Sequence, residues 1–171
     1  MRIALSGAHR VGKTSLLERL SEELPDYEHY AEPYFELEEA GAIFSEIPTT
    51  EDYLTQLSYS IKQIEKSAEK ALFDRCPLDF MAYILATDPS YSLQTTFARI
   101  QDSMQWIDLL VFVPIEEPDR IECPDSDLPE LRMQVNEIIS EFINDFDVEI
   151  IEVRGSVTER VRQILNYIKY K

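Results

Sequence analysis

Residues 1–20 read MRIALSGAHRVGKTSLLERL, and how this stretch is read decides the fold. The chain has only four glycines among 171 residues, yet Gly7 and Gly12 stand five apart here, with Lys13 and Thr14 directly behind them. The spacing is G-x-x-x-x-G-K-[ST]. In that pattern the glycines let the backbone curl so that successive N–H groups point inward at phosphate oxygens. The lysine then reaches the outer phosphates, and the hydroxyl serves a magnesium ion. The flanks agree with the motif. Ile3, Ala4 and Leu5 form a short apolar run between Arg2 and Ser6, and Leu16, Leu17, Leu20 and Leu24 recur at helical spacing. On this strand, loop and helix, Gly7, Ala8, His9, Arg10, Val11, Gly12, Lys13, Thr14 and Ser15 are expected to surround the phosphates of a bound nucleotide.

The rest of the composition fits such a site in a single domain spanning 1–171. Apolar residues make up 44% and charged residues 29%, which is globular usage with no repeat or low-complexity tract. The longest apolar run, Leu109 to Ile115, is too short to span a bilayer, and no leader sequence fits before a strand that starts at residue 2. A cytoplasmic location with no membrane contact is expected. Cys76 and Cys123 have no metal-ligand spacing and read as reduced thiols. The net charge of −17, from 33 acidic and 16 basic residues, repels a polyanion and argues against nucleic acid as a habitual partner. A single nucleotide needs only a few close cations, which Arg10 and Lys13 supply.

Further strand candidates follow at His29 to Glu32, Ala71 to Asp74, Leu109 to Pro114 and Val148 to Val153. Helical patterns run near 14–24, 51–67, 78–87, 92–105, 129–146 and 157–169. Cap signals stand at Ser92, at Asp127-x-x-Glu130 and at Ser156. This alternation predicts an α/β fold: a five-stranded parallel sheet between helix layers, with ligands outside the carboxyl ends of the strands. Those ends carry GAHRVGKT after the first strand, Glu32-Pro33 after the second and Asp74-Arg75 after the third.

With YAEPYFEL and LFDRCPLDF in those places, the chain resembles the P-loop kinases of the nucleoside and nucleotide kinase group. That group includes deoxynucleoside kinases, thymidylate kinases and ribosylnicotinamide kinase-like ATPases. The resemblance implies a P-loop three-layer sandwich with a lid at about 115–132, ATP and Mg2+ as cofactors, and a small nucleoside-like acceptor. It leaves the oligomeric state open, a homodimer included. It also implies that Glu32 accepts the proton of an acceptor hydroxyl, and that Asp74 joins Thr14 in holding magnesium. Arg75 would either pair with Glu32 or grip the substrate. Arg10 matches an arginine that touches the moving phosphoryl group in one type of thymidylate kinase, or else is a solvated loop residue. Arg132 and Arg120 lie where lid arginines occur, and either Arg10 or Arg132 would be the principal catalytic arginine. Gly155 would let backbone pass the adenine ring, or simply turn the chain. Asp79 reads as a first-turn helix carboxylate, His9 as a loop residue and Gln56 as a plain surface glutamine in preference to one that makes paired hydrogen bonds to a base edge. Trp106 reads as core, and Tyr34 and Phe35 as possible flanks of a ring.

Three functions fit this pattern: a kinase acting on a nucleoside-like hydroxyl, an ATPase or nucleotide-dependent switch, and a nucleoside monophosphate or polynucleotide 5′-hydroxyl kinase. A GTPase does not fit, because no Asn-Lys-x-Asp stretch occurs and DRCP replaces Asp-x-x-Gly after the third strand. Between Arg19 and Lys62 the chain carries eleven acidic residues and no lysine or arginine. A monophosphate acceptor would leave its charge unmet there, so an uncharged hydroxyl acceptor is expected, with Arg75 or Arg99 as the cations a phosphate would otherwise need.

Overall fold

The computed structural model describes residues 1–170. Its five strands are β1 (Arg2–Ser6), β2 (Glu28–Tyr30), β3 (Ala71–Asp74), β4 (Leu109–Phe112) and β5 (Glu149–Glu152). All pair in parallel in the order β2-β3-β1-β4-β5. The central position of β1 follows from its side chains: Ile3, Ala4 and Leu5 are fully buried and face Leu72 to Asp74 on one side and Leu109 to Val111 on the other. ALFD of β3 and LLVF of β4 are buried throughout, the continuous apolar reading of strands covered on both faces. The edge strands β2 and β5 are partly exposed and carry their glutamates to solvent.

The connecting helices are α1 (Lys13–Glu23), α2 (Pro33–Glu39), α3 (Thr50–Glu65), α4 (Pro77–Thr87), α5 (Gln94–Met104), α6 (Pro129–Phe142) and α7 (Val157–Lys169). Parallel strands require such crossovers. Helix α1 packs on α7, while α4 packs among α3, α5 and α6, so the sheet is the middle of three layers. Capping boxes fix three of the starts among the described residues, Thr49 with Asp52 for α3, Cys76 with Asp79 for α4 and Ser156 with Glu159 for α7, the last as the sequence suggested. Six helices lie within two residues of their expected starts, and α2 was not expected.

Several expectations are corrected. The second strand stops at Tyr30 instead of Glu32, and Glu32 becomes the N-cap of α2 with Pro33 at its first helical position. The last two strands are shorter than expected, at Leu109–Phe112 and Glu149–Glu152. Helix α6 ends at Phe142 and tightens into a 3₁₀ turn over Ile143–Asp145. Neither Ser92 nor Asp127 caps a helix: those positions fall to Leu93 and Leu128, without side-chain caps. Trp106 is not core. It is 54% exposed, with the Arg2 guanidinium 5.5 Å from its ring centre. Among the described residues no helix is long and apolar enough to cross a membrane.

Because the strands are parallel, Ser6, Tyr30, Asp74, Phe112 and Glu152 all end at one edge of the sheet, and the loops that leave them meet there.

Candidate functional site

The loop between β1 and α1 is held in shape from several directions. A Cβ on Gly7 would lie 2.4 Å from the Val113 carbonyl oxygen, so only glycine lets β1 and the chain after β4 run this close. Gly12, the N-cap of α1, has φ of +85°, and Arg10 is also left-handed at +53°. Such alternation turns consecutive amides toward one centre. Among the described residues the N–H groups of Arg10, Val11, Gly12, Lys13, Thr14 and Ser15 have no acceptor, and the first bond of α1 runs from Leu16 N–H to Gly12 O. An anion site at a helix N-terminus consists of such a run of free donors.

The carbonyls of the same loop are all occupied. Gly7 O accepts from Arg75 Nη1 at 3.1 Å and Ala8 O from Lys13 Nζ at 2.6 Å. His9 O and Arg10 O each accept from Arg132 at 3.0 Å, and Val11 O from Arg160 Nη1 at 2.6 Å. Lys13 is buried, and burial together with the nearby Arg75 charge lowers its ammonium to about 8, against the pull of Asp74, Asp79 and Glu32.

Four charged side chains stand below the loop. Thr14 Oγ1 donates to Asp74 Oδ2 at 2.8 Å, while Asp74 Oδ1 is buried with no partner among the described residues. Burial raises the Asp74 carboxyl; Lys13 opposes the rise and Glu32 adds to it. Arg75 Nε donates to Glu32 Oε1 at 2.6 Å, and Glu32 Oε2 has no partner among the described residues. Burial alone would raise the Glu32 carboxyl, but the Arg75 and Lys13 charges outweigh it and hold it below the ordinary range. Asp79 does more than favour the dipole of α4: it is fully buried and accepts from Gly7 N at 2.9 Å and Cys76 N at 3.0 Å. It also lies 3.7 Å from Arg75.

No group of three or more His, Cys, Asp or Glu side chains forms a ready metal cage among the described residues. The donor set of one buried carboxylate with a free oxygen and one hydroxyl suits magnesium, which keeps waters and shares its shell with phosphates.

Beside the loop opens a cavity of about 540 Å3. Two aromatic pairs line it: Tyr34 on Phe44, ring centres 4.9 Å apart, and Tyr53 on Tyr83 at 4.8 Å. Gln56, expected on the surface, is buried at its wall and bonds Asp52 O. His9 is also more than a loop residue. Its ring nitrogens meet Tyr83 Oη at 2.9 Å and Asp127 O at 2.6 Å, and burial, with neighbouring cations, lowers its pKa to about 4. Arg10 reaches the cavity rim and pairs with the Asp127 carboxylate. Phe35 points instead to solvent at 51% exposure, and Arg99 lies exposed on α5.

After β4 the chain passes over the loop, and Ile121 Cδ1 would lie 3.3 Å from a Cβ on Gly12. Arg120 is exposed and pairs with Glu116. Arg132 is buried, with Asp119 on its far side at 2.5 and 3.1 Å. Gly155 donates its N–H to Glu116 Oε1 at 2.8 Å, the oxygen that Arg160 Nη2 also reaches at 2.8 Å. Arg160 was missed in the sequence, although a signal existed: it interrupts the buried stripe that continues through Val161 and Ile164 of α7.

Residues 2–160 match the family described as AAA domain. The chain belongs to the AAA domain family. No curated protein matches the sequence of this AAA-domain chain. Solved structures do match its fold. Deoxyadenosine kinase from M. mycoides, with dCMP and dCDP bound, aligns over 100% of both chains at 18% identity with a TM-score of 0.65. Thymidylate kinase from Candida albicans aligns over 98% of this chain and 90% of its own at 16% identity and 0.66. The NadR protein in complex with NAD and AMP-PNP aligns over 98% of this chain and 48% of its own at 15% identity and 0.69. At such identities the likeness is one of fold. The AAA-domain chain therefore has a P-loop kinase fold like that of nucleoside and other small-molecule kinases, as GAHRVGKT, YAEPYFEL and LFDRCPLDF implied.

Proposed function

We propose that this chain transfers the γ-phosphoryl group of ATP to a hydroxyl of an uncharged, nucleoside-like acceptor. The observation that carries the reading is the cavity beside the loop. A switch or simple ATPase needs a phosphate loop and a water, whereas a kinase needs a room for the acceptor beside it. Here that room shares His9 and Arg10 with the loop. Its paired aromatic walls suit a flat ring with polar edges. The structural neighbours, solved with nucleotides or with NAD and a nucleotide analogue, support the same class.

The residues divide the work as follows. The free N–H groups from Arg10 to Ser15, with Lys13, bind the phosphates and pre-aim positive charge at the group in flight. Thr14 and Asp74 would hold magnesium, which supplies charge neutralisation on the phosphates. Glu32, kept ionised by Arg75 and Lys13, takes the proton of the acceptor hydroxyl through its free Oε2 as the new O–P bond forms and the bond to ADP breaks. Arg75 orients Glu32. Arg10, at the boundary of loop and cavity, is the arginine placed to meet the transferred group, and Gly155 turns the chain beside the nucleotide. The segment 115–132 is the lid of this single domain.

An uncharged acceptor follows from the cations. Arg75 is committed to Glu32, Gly7 O and Asp79, Arg10 is paired with Asp127, and the cavity wall adds Glu46 and Asp52. A phosphate on the acceptor would find Arg10 as the one cation lining this cavity among the described residues, already paired with Asp127 and placed toward the transferred group, against the carboxylates of Glu46 and Asp52. ATP consumption measured with matched nucleosides and their monophosphates tests this. Turnover with nucleosides is expected, and a preference for monophosphates contradicts it.

A further inference from the structure

We infer that Arg132 and Arg160 are positioning residues that keep the phosphate loop in its anion-binding shape by gripping three consecutive carbonyls from behind. The inference rests on the loop being a phosphate site, as proposed above. In a trans peptide the C=O of one residue and the N–H of the next point in opposite directions. Bonds to the carbonyls of His9, Arg10 and Val11 therefore aim the N–H groups of Arg10, Val11 and Gly12 away from the two arginines. These three N–H groups belong to the run that has no acceptor. The loop needs this outside support because Arg10 sits at a left-handed φ of +53°, a conformation that disfavours a side-chain-bearing residue.

The chemistry of the two side chains fits the task. Arg132 uses all three of its nitrogens, Nε and Nη2 on the loop and Nη1 and Nη2 on Asp119, which only a planar fork can do. Arg160 divides its terminal nitrogens between Val11 O and Glu116, and its buried Nε has no partner among the described residues. A guanidinium serving only as an ion-pair partner would not need this burial on loop backbone. Both arginines come from helices far along the chain, α6 and α7. Asp119 and Glu116 set their orientation from the segment that follows β4.

The test is calorimetric binding of inorganic triphosphate to the full chain and to Arg132→Lys and Arg160→Lys, well below each melting point. A lysine presents one point donor and cannot hold two carbonyls and a carboxylate together. Triphosphate affinity is expected to fall about tenfold in Arg132→Lys and about threefold in Arg160→Lys, the scale of one or two net hydrogen bonds. A purely structural role would lower the melting temperature and leave the affinity of the folded protein unchanged, and that result overturns the inference. If the unaltered chain binds no triphosphate, the phosphate reading itself fails, which is a different outcome. Should either variant fail to fold, proton exchange at Arg132 Nε–H in the unaltered chain decides. Protection both free and with triphosphate supports the grip, and exchange as fast as at the exposed Arg99 overturns it.

Discussion

Raising the pH from 7 to 9.5 is expected to weaken ATP binding by about thirtyfold, through one group. Burial and the Arg75 charge place the Lys13 ammonium at about 8, so roughly nine-tenths of it is charged at pH 7 and about 3% at pH 9.5. If phosphate binds only the charged form, apparent affinity scales with that fraction. A lysine titrating at its ordinary value near 10.5 would lose only about a tenth of its affinity over the same interval. Neither His9, at about 4, nor Cys76, held well above its ordinary value by burial and Asp79, titrates in this window. Stability carries the opposite sign. The folded pKa lies below the unfolded one, so between about 8 and 10.5 the unfolded chain binds more protons, and the ligand-free fold gains stability as pH rises. Burial and the Arg75 charge disfavour the charged ammonium in the ligand-free fold, and a bound phosphate is expected to offset that penalty. Calorimetric titration of ATP at half-unit pH steps measures the profile, with Lys13→Arg, which stays charged, as the baseline. An affinity that runs parallel to that baseline from pH 7 to 9.5 would refute the lowered Lys13 pKa and the burial argument behind it.

Glu32→Gln keeps an acceptor for Arg75 Nε but removes the base; phosphoryl transfer measured by coupled ADP release should fall roughly 10²-fold, with ATP affinity nearly unchanged. Because the Glu32 pKa is lowered in the fold, its contribution to stability is present at neutral pH and lost on acidification, so the melting points of parent and Glu32→Gln should converge toward low pH. Asp74→Asn is expected to weaken ATP binding in magnesium, and titrating in excess magnesium should recover part of the loss; no dependence on magnesium would remove Asp74 from that role. Gly7→Ala drives a Cβ to 2.4 Å from the Val113 carbonyl, which should cost about 3 kcal/mol in urea unfolding and abolish ATP binding in what remains folded.

The sheet was legible because buried parallel strands read as unbroken apolar runs. ALFD and LLVF have no other ready interpretation between helical patterns. The edges were less so: EHY of β2 pairs with β3 alone and is partly exposed, so its end was misplaced and the seven-residue α2 behind it went unseen, although Pro33 marked its start. The loop between β1 and α1 was legible as a P-loop, since its pattern is carried by adjacent residues. What supports it was not. His9 meets Tyr83 across 74 residues and Arg132 meets His9 across 123, and no local pattern reports such contacts. Gln56 looked like a surface glutamine because its neighbours on α3 are mixed, yet it faces the cavity. The one usable signal was negative: Arg132 and Arg160 each stand where helical spacing calls for an apolar residue, in line with Val135 and Ile139 on α6 and with Val161 and Ile164 on α7.

Incubating the chain with ATP, magnesium and a panel of nucleosides, and following phosphorus by NMR, tests the central claim most directly. The expected result is ADP formed in step with a phosphomonoester on one nucleoside, with little inorganic phosphate and no product in Lys13→Ala. ADP and inorganic phosphate released at the same rate with or without every acceptor would contradict it and make the chain an ATPase.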